Sequence, residues 1–228
     1  MTDETALPDD FNGTVRLFPL PDFVLFPHVV TPLHIFEPRY RAMTEAALES
    51  DQLIAMALLK SNWDDYQDQP PMYPVVCLSK ILSHVRSADG RYNVLVAGLE
   101  RGRILHELDF GRPYREAQVE LLANELSSAT DLEESLRLEL LARFRDLIGQ
   151  YPQIFDELDV LIGESPGLDM LTDIIAYTVS LPAVVKHELL ADHDVEHRAT
   201  RLLAALETRE NRPTRAMMDG FPPDFSKN

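Results

Sequence analysis

The chain has 228 residues, 45% apolar and 26% charged, an ordinary balance for a soluble globular protein of one large or two small domains. Its net charge of −17 disfavours a nucleic-acid partner, because a phosphate backbone is drawn to a cationic surface. The single cysteine, Cys77, excludes an intrachain disulfide and a cysteine-rich zinc site, and no apolar run reaches the ~18 residues expected of a spanning helix.

Residues 1–12 are acidic, lack the basic and apolar regions of a signal peptide, and read as a tail. A cytoplasmic location is the default expectation. The stretch Val15–Tyr40 is dense in apolar residues yet carries Pro19, Pro21, Pro27, Pro32 and Pro38. It is expected to be buried but cannot be one long helix or one central strand, because each proline lacks an N–H and has a fixed φ. The pattern predicts a strand at Val15–Pro19, an irregular crossing through Phe23 and Phe26, and a second strand at Pro32–Phe36. A helix should start near Glu37, with Pro38 in its first turn, and run to about Leu48.

Gln52–Leu59 reads as a buried strand, although its alanines and methionine leave helix as an option. The following SNWDDYQDQPP is polar and proline-ended, hence a loop. It carries Trp63 and Tyr66, which read either as anchors of the loop over the core or as candidate partner-binding residues, because exposed aromatics concentrate at interfaces. Strands are predicted at Val75–Val85 and Tyr92–Glu100, joined by a turn at Asp89-Gly90, with Gly98 and Gly102 permitting a bend or bulge. Arg112–Leu122 adds another strand.

From about Thr130 the apolar period becomes helical. Leu132, Leu136, Leu140 and Phe144 are four apart, and Gly149 is a plausible stop. Further helices are expected at PQIFDELDVLI, at LDMLTDIIAYTVS before Pro182, at Leu181–Leu190 and at Val195–Leu206. Short amphipathic helices need one another, so this part should be a small bundle. The fold class is therefore α+β, with a β-rich part to about Leu122, a joint at 123–129 and helices from 130. The stretch from Glu210 reads as a second tail in which Phe221 and Phe225 could dock on a partner or on the domain.

The catalytic patterns are incomplete. His193-Asp194-Val195-Glu196-His197 fits H-x-x-E-H, in which two histidines could bind zinc and Glu196 act as base, but a third ligand is not evident. The competing reading is Asp194 as a helix N-cap, Glu196 as a favourable early carboxylate, and two surface histidines. Adjacent Ser79 and Lys80 would point to opposite faces of a strand and cannot form a catalytic pair alone. The sequence contains neither GxxxxGK[ST] nor GxGxxG. Asp64, Asp65 and Asp68 lack calcium-loop spacing. His28 and His34 are expected to have local structural roles.

The segment LFPLPDFVLFPHVVTPLHIFEPRYRAMTEAAL resembles the start of the substrate-binding amino-terminal domain of ATP-dependent Lon proteases, through Phe18-Pro19-Leu20, Val24-Leu25-Phe26-Pro27 and Pro32-Leu33. VLVAGLERGRI resembles the family's V-x-G-x-x-R signature at Val96, Gly98 and Arg101, and the helical part from Asp169 to Glu207 is similar in style. The resemblance covers residues 14–209. It implies a PUA-like β pseudo-barrel of about six strands over residues 13–122 and a helical bundle over 130–209, with tails at 1–12 and 210–228. Tyr73-Pro74 departs from the glycine usual at that strand start and points to an edge or a strand beginning.

In full-length Lon proteases this region helps recognise protein substrates, whereas the ATPase and peptidase portions lie further on. The expectation is a stand-alone, non-catalytic module that binds unfolded segments, peptides or a partner protein, with basic partners favoured by the acidic surface. No catalytic residue, cofactor or metal ligand is assigned. An RNA-associated PUA-like role and a zinc-dependent hydrolase built on His193, Glu196 and His197 are the alternatives.

Overall fold

The computed structural model describes residues 6–61, 69–125, 130–148 and 166–207. By its internal contacts the chain separates into two compact units, Met1–Ala123 and Asn124–Asn228.

The first unit is built from strands β1 (Thr14–Leu20), β2 (Val30–Ile35), β3 (Leu53–Leu59), β4 (Met72–Arg86), β5 (Tyr92–Leu108) and β6 (Arg115–Leu121), with helix α1 (Pro38–Leu48) between β2 and β3. The strand order is β2-β5-β4-β3-β1-β6, and an additional β5–β6 pairing closes five of the strands into a ring. β1 and β3 are parallel, and the other pairings are antiparallel. β2 is appended to the first part of β5, opposite Tyr92–Ala97, while Gly102–Leu108 of β5 pairs with β6.

β5 can serve two neighbours because it bends. The register with β4 slips between Leu78 and Ser79, where Leu78 faces Glu100 and Ser79 faces Gly98. This explains a difference from the predicted strand, which ended at Glu100: Gly98 and the bulge turn the strand without ending it, and it runs on to Leu108. Gly98 also lies against the irregular crossing. Its N–H donates to the Val29 carbonyl at 2.8 Å, and the His28 N–H donates to the Gly98 carbonyl at 3.0 Å. A Cβ at Gly98 would sit 2.0 Å from the Phe26 oxygen, so the close approach requires glycine.

The prolines occupy places that need no ladder donor. The Val29–Gly98 bond makes that pair a bonded one, so Pro32 opposite Leu95 falls on a non-bonded pair, with its nitrogen facing away from β5. β1 pairs with β6 only over Thr14–Leu17, which leaves Pro19 beyond that ladder. Pro74 sits where the β3–β4 register slips, between Ala57↔Val76 and Leu59↔Met72. α1 begins with Pro38 as predicted and buries Tyr40, Met43, Thr44 and Ala47, one i, i+3, i+4, i+7 face. Thr44 is buried on that face and donates to the Tyr40 carbonyl at 2.9 Å, and Leu48, the last residue of the helix, is half-buried.

The second unit contains α2 (Thr130–Ile148), α3 (Leu168–Thr178), α4 (Ala183–Ala191) and α5 (Val195–Leu206) among the described residues. α2, α3 and α5 pack on one another, and α4 packs on α3 and α5. Leu136, Leu140 and Phe144 are buried as predicted, but Leu132, the first residue of that stripe, is exposed. The expected helix at PQIFDELDVLI and the stop at Gly149 lie outside the described residues. The centre of the unit holds a charge. Arg198 and Asp173 are both fully buried, with Nε 3.6 Å from Oδ1. Arg198 also donates to Thr172 Oγ1 at 3.2 Å, to the Asp192 carbonyl at 2.7 Å and to Asn124 Oδ1 at 3.3 Å.

Candidate functional site

Trp63 and Tyr66 lie within residues 62–68, outside the described residues. The ends of their loop are fixed: the Lys60 N–H donates to the Pro71 carbonyl at 2.8 Å, tying the end of β3 to the start of β4. Three residues after Tyr66, Gln69 lines a cleft of about 380 Å³ in the first unit.

The cleft is assembled from Pro19 at the end of β1, the first turn of α1, Gln69, and the β5–β6 hairpin. α1 supplies Arg39 and Tyr40. The Arg39 guanidinium lies 4.5 Å from the Tyr40 ring centre and is held there by Glu37 at 2.9 Å. Tyr40 is itself buried, tilted against Phe18 at 4.6 Å, with its hydroxyl 3.4 Å from the Pro19 carbonyl. Burial raises the pKa of this phenol, so it is a neutral donor throughout the physiological range.

The hairpin supplies a second arginine–tyrosine pair. Arg112 and Tyr114 precede β6 and Glu116 lies at its start, and the Arg112 side chain reaches both of the others. The Arg112 guanidinium lies 5.7 Å from the Tyr114 ring centre, donates to its hydroxyl at 2.7 Å, and pairs with the buried Glu116 carboxylate at 3.1 Å. The Tyr114 hydrogen bond, and then Glu116, hold the Arg112 pKa above its ordinary value. Arg115 forks onto Glu107 through two bonds of 2.6 and 2.5 Å and donates to the Pro70 carbonyl at 2.7 Å. The Pro70 bond fastens the last part of the aromatic loop to the cleft wall. Phe110 is 61% exposed at the hairpin turn.

Among the described residues the recess gathers three arginines, and each is paired with a carboxylate: Arg39 with Glu37, Arg112 with Glu116 and Arg115 with Glu107. Each guanidinium is pre-oriented by a ring or a carboxylate. Such groups can donate to backbone carbonyls or a carboxylate of an extended segment while the tyrosines and Phe110 offer apolar contact. The sequence reading missed Arg39, Arg112 and Arg115. The local signal was the recurrence of arginine beside tyrosine in Pro38-Arg39-Tyr40 and in Arg112-Pro113-Tyr114-Arg115-Glu116; what brings them together is the nonlocal closure of the sheet.

The H-x-x-E-H residues do not converge. His193 faces Glu125 at 3.4 Å and His197 faces Asp192 at 2.7 Å, while Asp194 caps α5 by accepting the His197 N–H at 2.9 Å. Among the described residues no group of three His, Cys, Asp or Glu side chains is placed to hold a metal. Ser79 is buried and donates to the Ile54 carbonyl at 2.9 Å. His34 bonds Asn93 across the β2–β5 pair at 2.7 Å, and His28 supplies the backbone donor to Gly98.

The model of the ATP-dependent protease La (LON) substrate-binding domain matches residues 14–208. The chain belongs to this Lon family. Curated relatives include Lon protease 2 of Herpetosiphon aurantiacus, 29% identical over 90% of this chain and 26% of the relative, and Lon protease of Dictyoglomus thermophilum, 27% identical over 88% and 25%. The chain therefore spans about a quarter of the length of these Lon proteases. Among solved structures, the N-terminal domain of the Mycobacterium avium complex Lon protease matches with a TM-score of 0.68 at 20% identity, covering 86% of this chain and 99% of that one. The Lon N-terminal domain protein from Xanthomonas campestris matches with a TM-score of 0.57 at 18% identity, over 84% and 97%. These structures share the α+β fold of six strands followed by helices. No helix among the described residues is long and apolar enough to cross a membrane.

Proposed function

We propose that the chain is a non-catalytic module that binds unfolded or peptide segments of other proteins, with the cleft between α1 and the β5–β6 hairpin as its binding site. The observation that carries this reading is the paired arginine-on-tyrosine arrangement, Arg39 with Tyr40 and Arg112 with Tyr114, facing one recess in a Lon substrate-binding fold. Trp63 and Tyr66 are kept as candidate partner-binding residues because they belong to the same loop as Pro70, which Arg115 fastens to the cleft wall. The family membership supports a role in recognising protein segments, without ATP hydrolysis or peptide cleavage by residues 14–208. The working boundaries are 13–122 for the barrel and 130–209 for the bundle, and the setting is the cytoplasm. The overall negative charge steers basic partners toward the molecule, an attraction that salt weakens.

The test is a peptide array probed with the full chain, followed by titration of the best peptides. Arg39→Ala with Arg112→Ala should weaken binding roughly tenfold or more, about 1.4 kcal/mol, and Trp63→Ala with Tyr66→Ala should weaken it further. Unchanged binding in the arginine variant would remove the cleft. Tight retention of RNA with no peptide or protein retained would refute the function.

A further inference from the structure

The N-terminal strap and the far end of the chain carry the same five-residue pattern. Residues 7–11 read Leu-Pro-Asp-Asp-Phe, and residues 221–225 read Phe-Pro-Pro-Asp-Phe: a large apolar residue, proline, any residue, aspartate, phenylalanine. Residues 208–228 lie outside the described residues, so the second copy enters as sequence only.

The first copy has a defined seat. Its turn is closed by the Phe11 N–H donating to the Pro8 carbonyl at 3.0 Å, which leaves Asp9 and Asp10 exposed. Leu7 and Phe11, at the two ends of the turn, pack side by side onto the barrel. Both touch the cluster of Leu53, Ala97 and Leu99, beside Val30, and both touch the neighbouring cluster that includes Val76, Leu78 and Val119. The strap joins β1 through Gly13 at φ +84°, where a Cβ would lie 2.3 Å from Gln118 Nε2 and 2.8 Å from the Val119 carbonyl. The Gln118 side chain donates to the Asn12 carbonyl at 2.8 Å. Among the described residues ahead of β1, Leu7 and Phe11 pack against these clusters, and both remain half-buried.

The C-terminal copy matches what the seat reads. Phe221 stands for Leu7 and Phe225 for Phe11, at the same spacing. Pro223 falls at the second position of the four-residue turn, where proline's fixed φ is preferred; Asp9 holds that position in the strap. Seated in the same turn, this sequence would place proline where its fixed φ suits and a larger apolar residue at one end. Against this, the strap is tethered beside its seat and has the advantage of a high effective concentration.

We propose that the seat of Leu7 and Phe11 is a peptide-binding groove whose second occupant is the Phe221–Phe225 segment of this chain, in exchange with the strap. The groove shares no residue with the arginine cleft, so this proposal and the cleft reading fail separately.

The experiment uses a fluorescent synthetic peptide of residues 217–228 and the full-length chain carrying Phe221→Ala and Phe225→Ala, so that its own tail does not compete. The peptide should bind saturably, and alanine at both phenylalanines of the peptide should weaken it at least about tenfold. Adding Phe11→Ala to the chain should tighten binding at least about fivefold, because the apparent dissociation constant falls as the open fraction rises. Leu7→Ala, at the other end of the turn, should act in the same direction and serves if circular dichroism shows the Phe11 variant unfolded. Amide shifts on titration should centre on Val30, Leu53, Ala97 and Leu99. Absence of binding, equal binding of the alanine peptide, no gain from either strap variant, or shifts centred on Arg39 and Tyr114 would each overturn the proposal.

Discussion

Replacing Gly98 by alanine tests whether the irregular crossing is held to the barrel at this point. The new Cβ would lie 2.0 Å from the Phe26 oxygen, 2.8 Å from its carbonyl carbon and 3.1 Å from Cys77 Sγ. A comfortable carbon–oxygen approach is roughly 3.3 Å, so the crossing must retreat by more than ~1 Å. That movement strains both backbone bonds at the site, Gly98 to Val29 and His28 to Gly98. Each is worth about 0.5–1.5 kcal/mol, and overpacking adds about 1–3 kcal/mol. The sum is about 2–6 kcal/mol. At about 2.1 cal/mol/K of unfolding entropy per residue, over a unit of roughly 120 residues, a loss near 4 kcal/mol lowers Tm by on the order of 15 °C. Gly102→Ala is the control. Its Cβ would meet Leu78 Cδ1 at 2.5 Å, the end of a flexible side chain, and a rotamer adjustment costs only about 0.5–1.5 kcal/mol. Calorimetry on both variants, with amide exchange at His28 and Gly98, reads the difference. If Gly98→Ala melts within about 3 °C of wild type, or no lower than Gly102→Ala, the close approach does not hold the crossing in place.

Lys186 gives a pH-dependent prediction. Burial lowers its pKa from 10.5 to about 8, while its ammonium donates to the Tyr177 carbonyl near the end of α3 at 2.6 Å. Between pH 8 and 10.5 the unfolded chain holds this proton and the folded chain has released it, so wild-type stability gains with rising pH through that window. Lys186→Met should be more stable than wild type at pH 7 by about 1–2 kcal/mol, after the lost hydrogen bond offsets part of the desolvation gain. The advantage should vanish by pH 10 in urea titrations, and a gap that does not change with pH would refute the assignment. Arg198→Ala removes the guanidinium facing the buried Asp173 carboxylate and should cost about 3–5 kcal/mol by chemical denaturation. Adding Asp173→Ala should then cost less than the sum of the single variants, and strict additivity would show that the two do not interact.

The readability of this chain tracks how local each cause is. The start of α1 was legible because Pro38 acts on its own turn, and the Asp89-Gly90 connection because the turn is set by adjacent residues. The capping role of Asp194 was likewise visible in its spacing to His197. The full length of β5 was not, because a glycine that ends a strand and one that bends it look alike until the partner strands are known. Leu132 fits its helical stripe but is exposed, since periodicity assigns a face and not the extent of the neighbour covering it. The cleft was least legible. Arg39 and Arg112 are far apart in sequence and meet only when β5 pairs with β6 and the sheet closes. The aromatic loop of Trp63 and Tyr66 was legible as an interruption between two strands, and the part that the structure places, Gln69 and Pro70, leads into the same recess.

Cys77 has a consequence of a different kind. It is the only thiol in the chain, and it is fully buried on β4 in the first unit. A thiol reagent can therefore reach it only when that unit opens, and the second unit has no cysteine to react. The labelling rate under native conditions becomes a clock for the barrel alone. It would separate the opening of the barrel from the melting of the helices without cutting the chain in two.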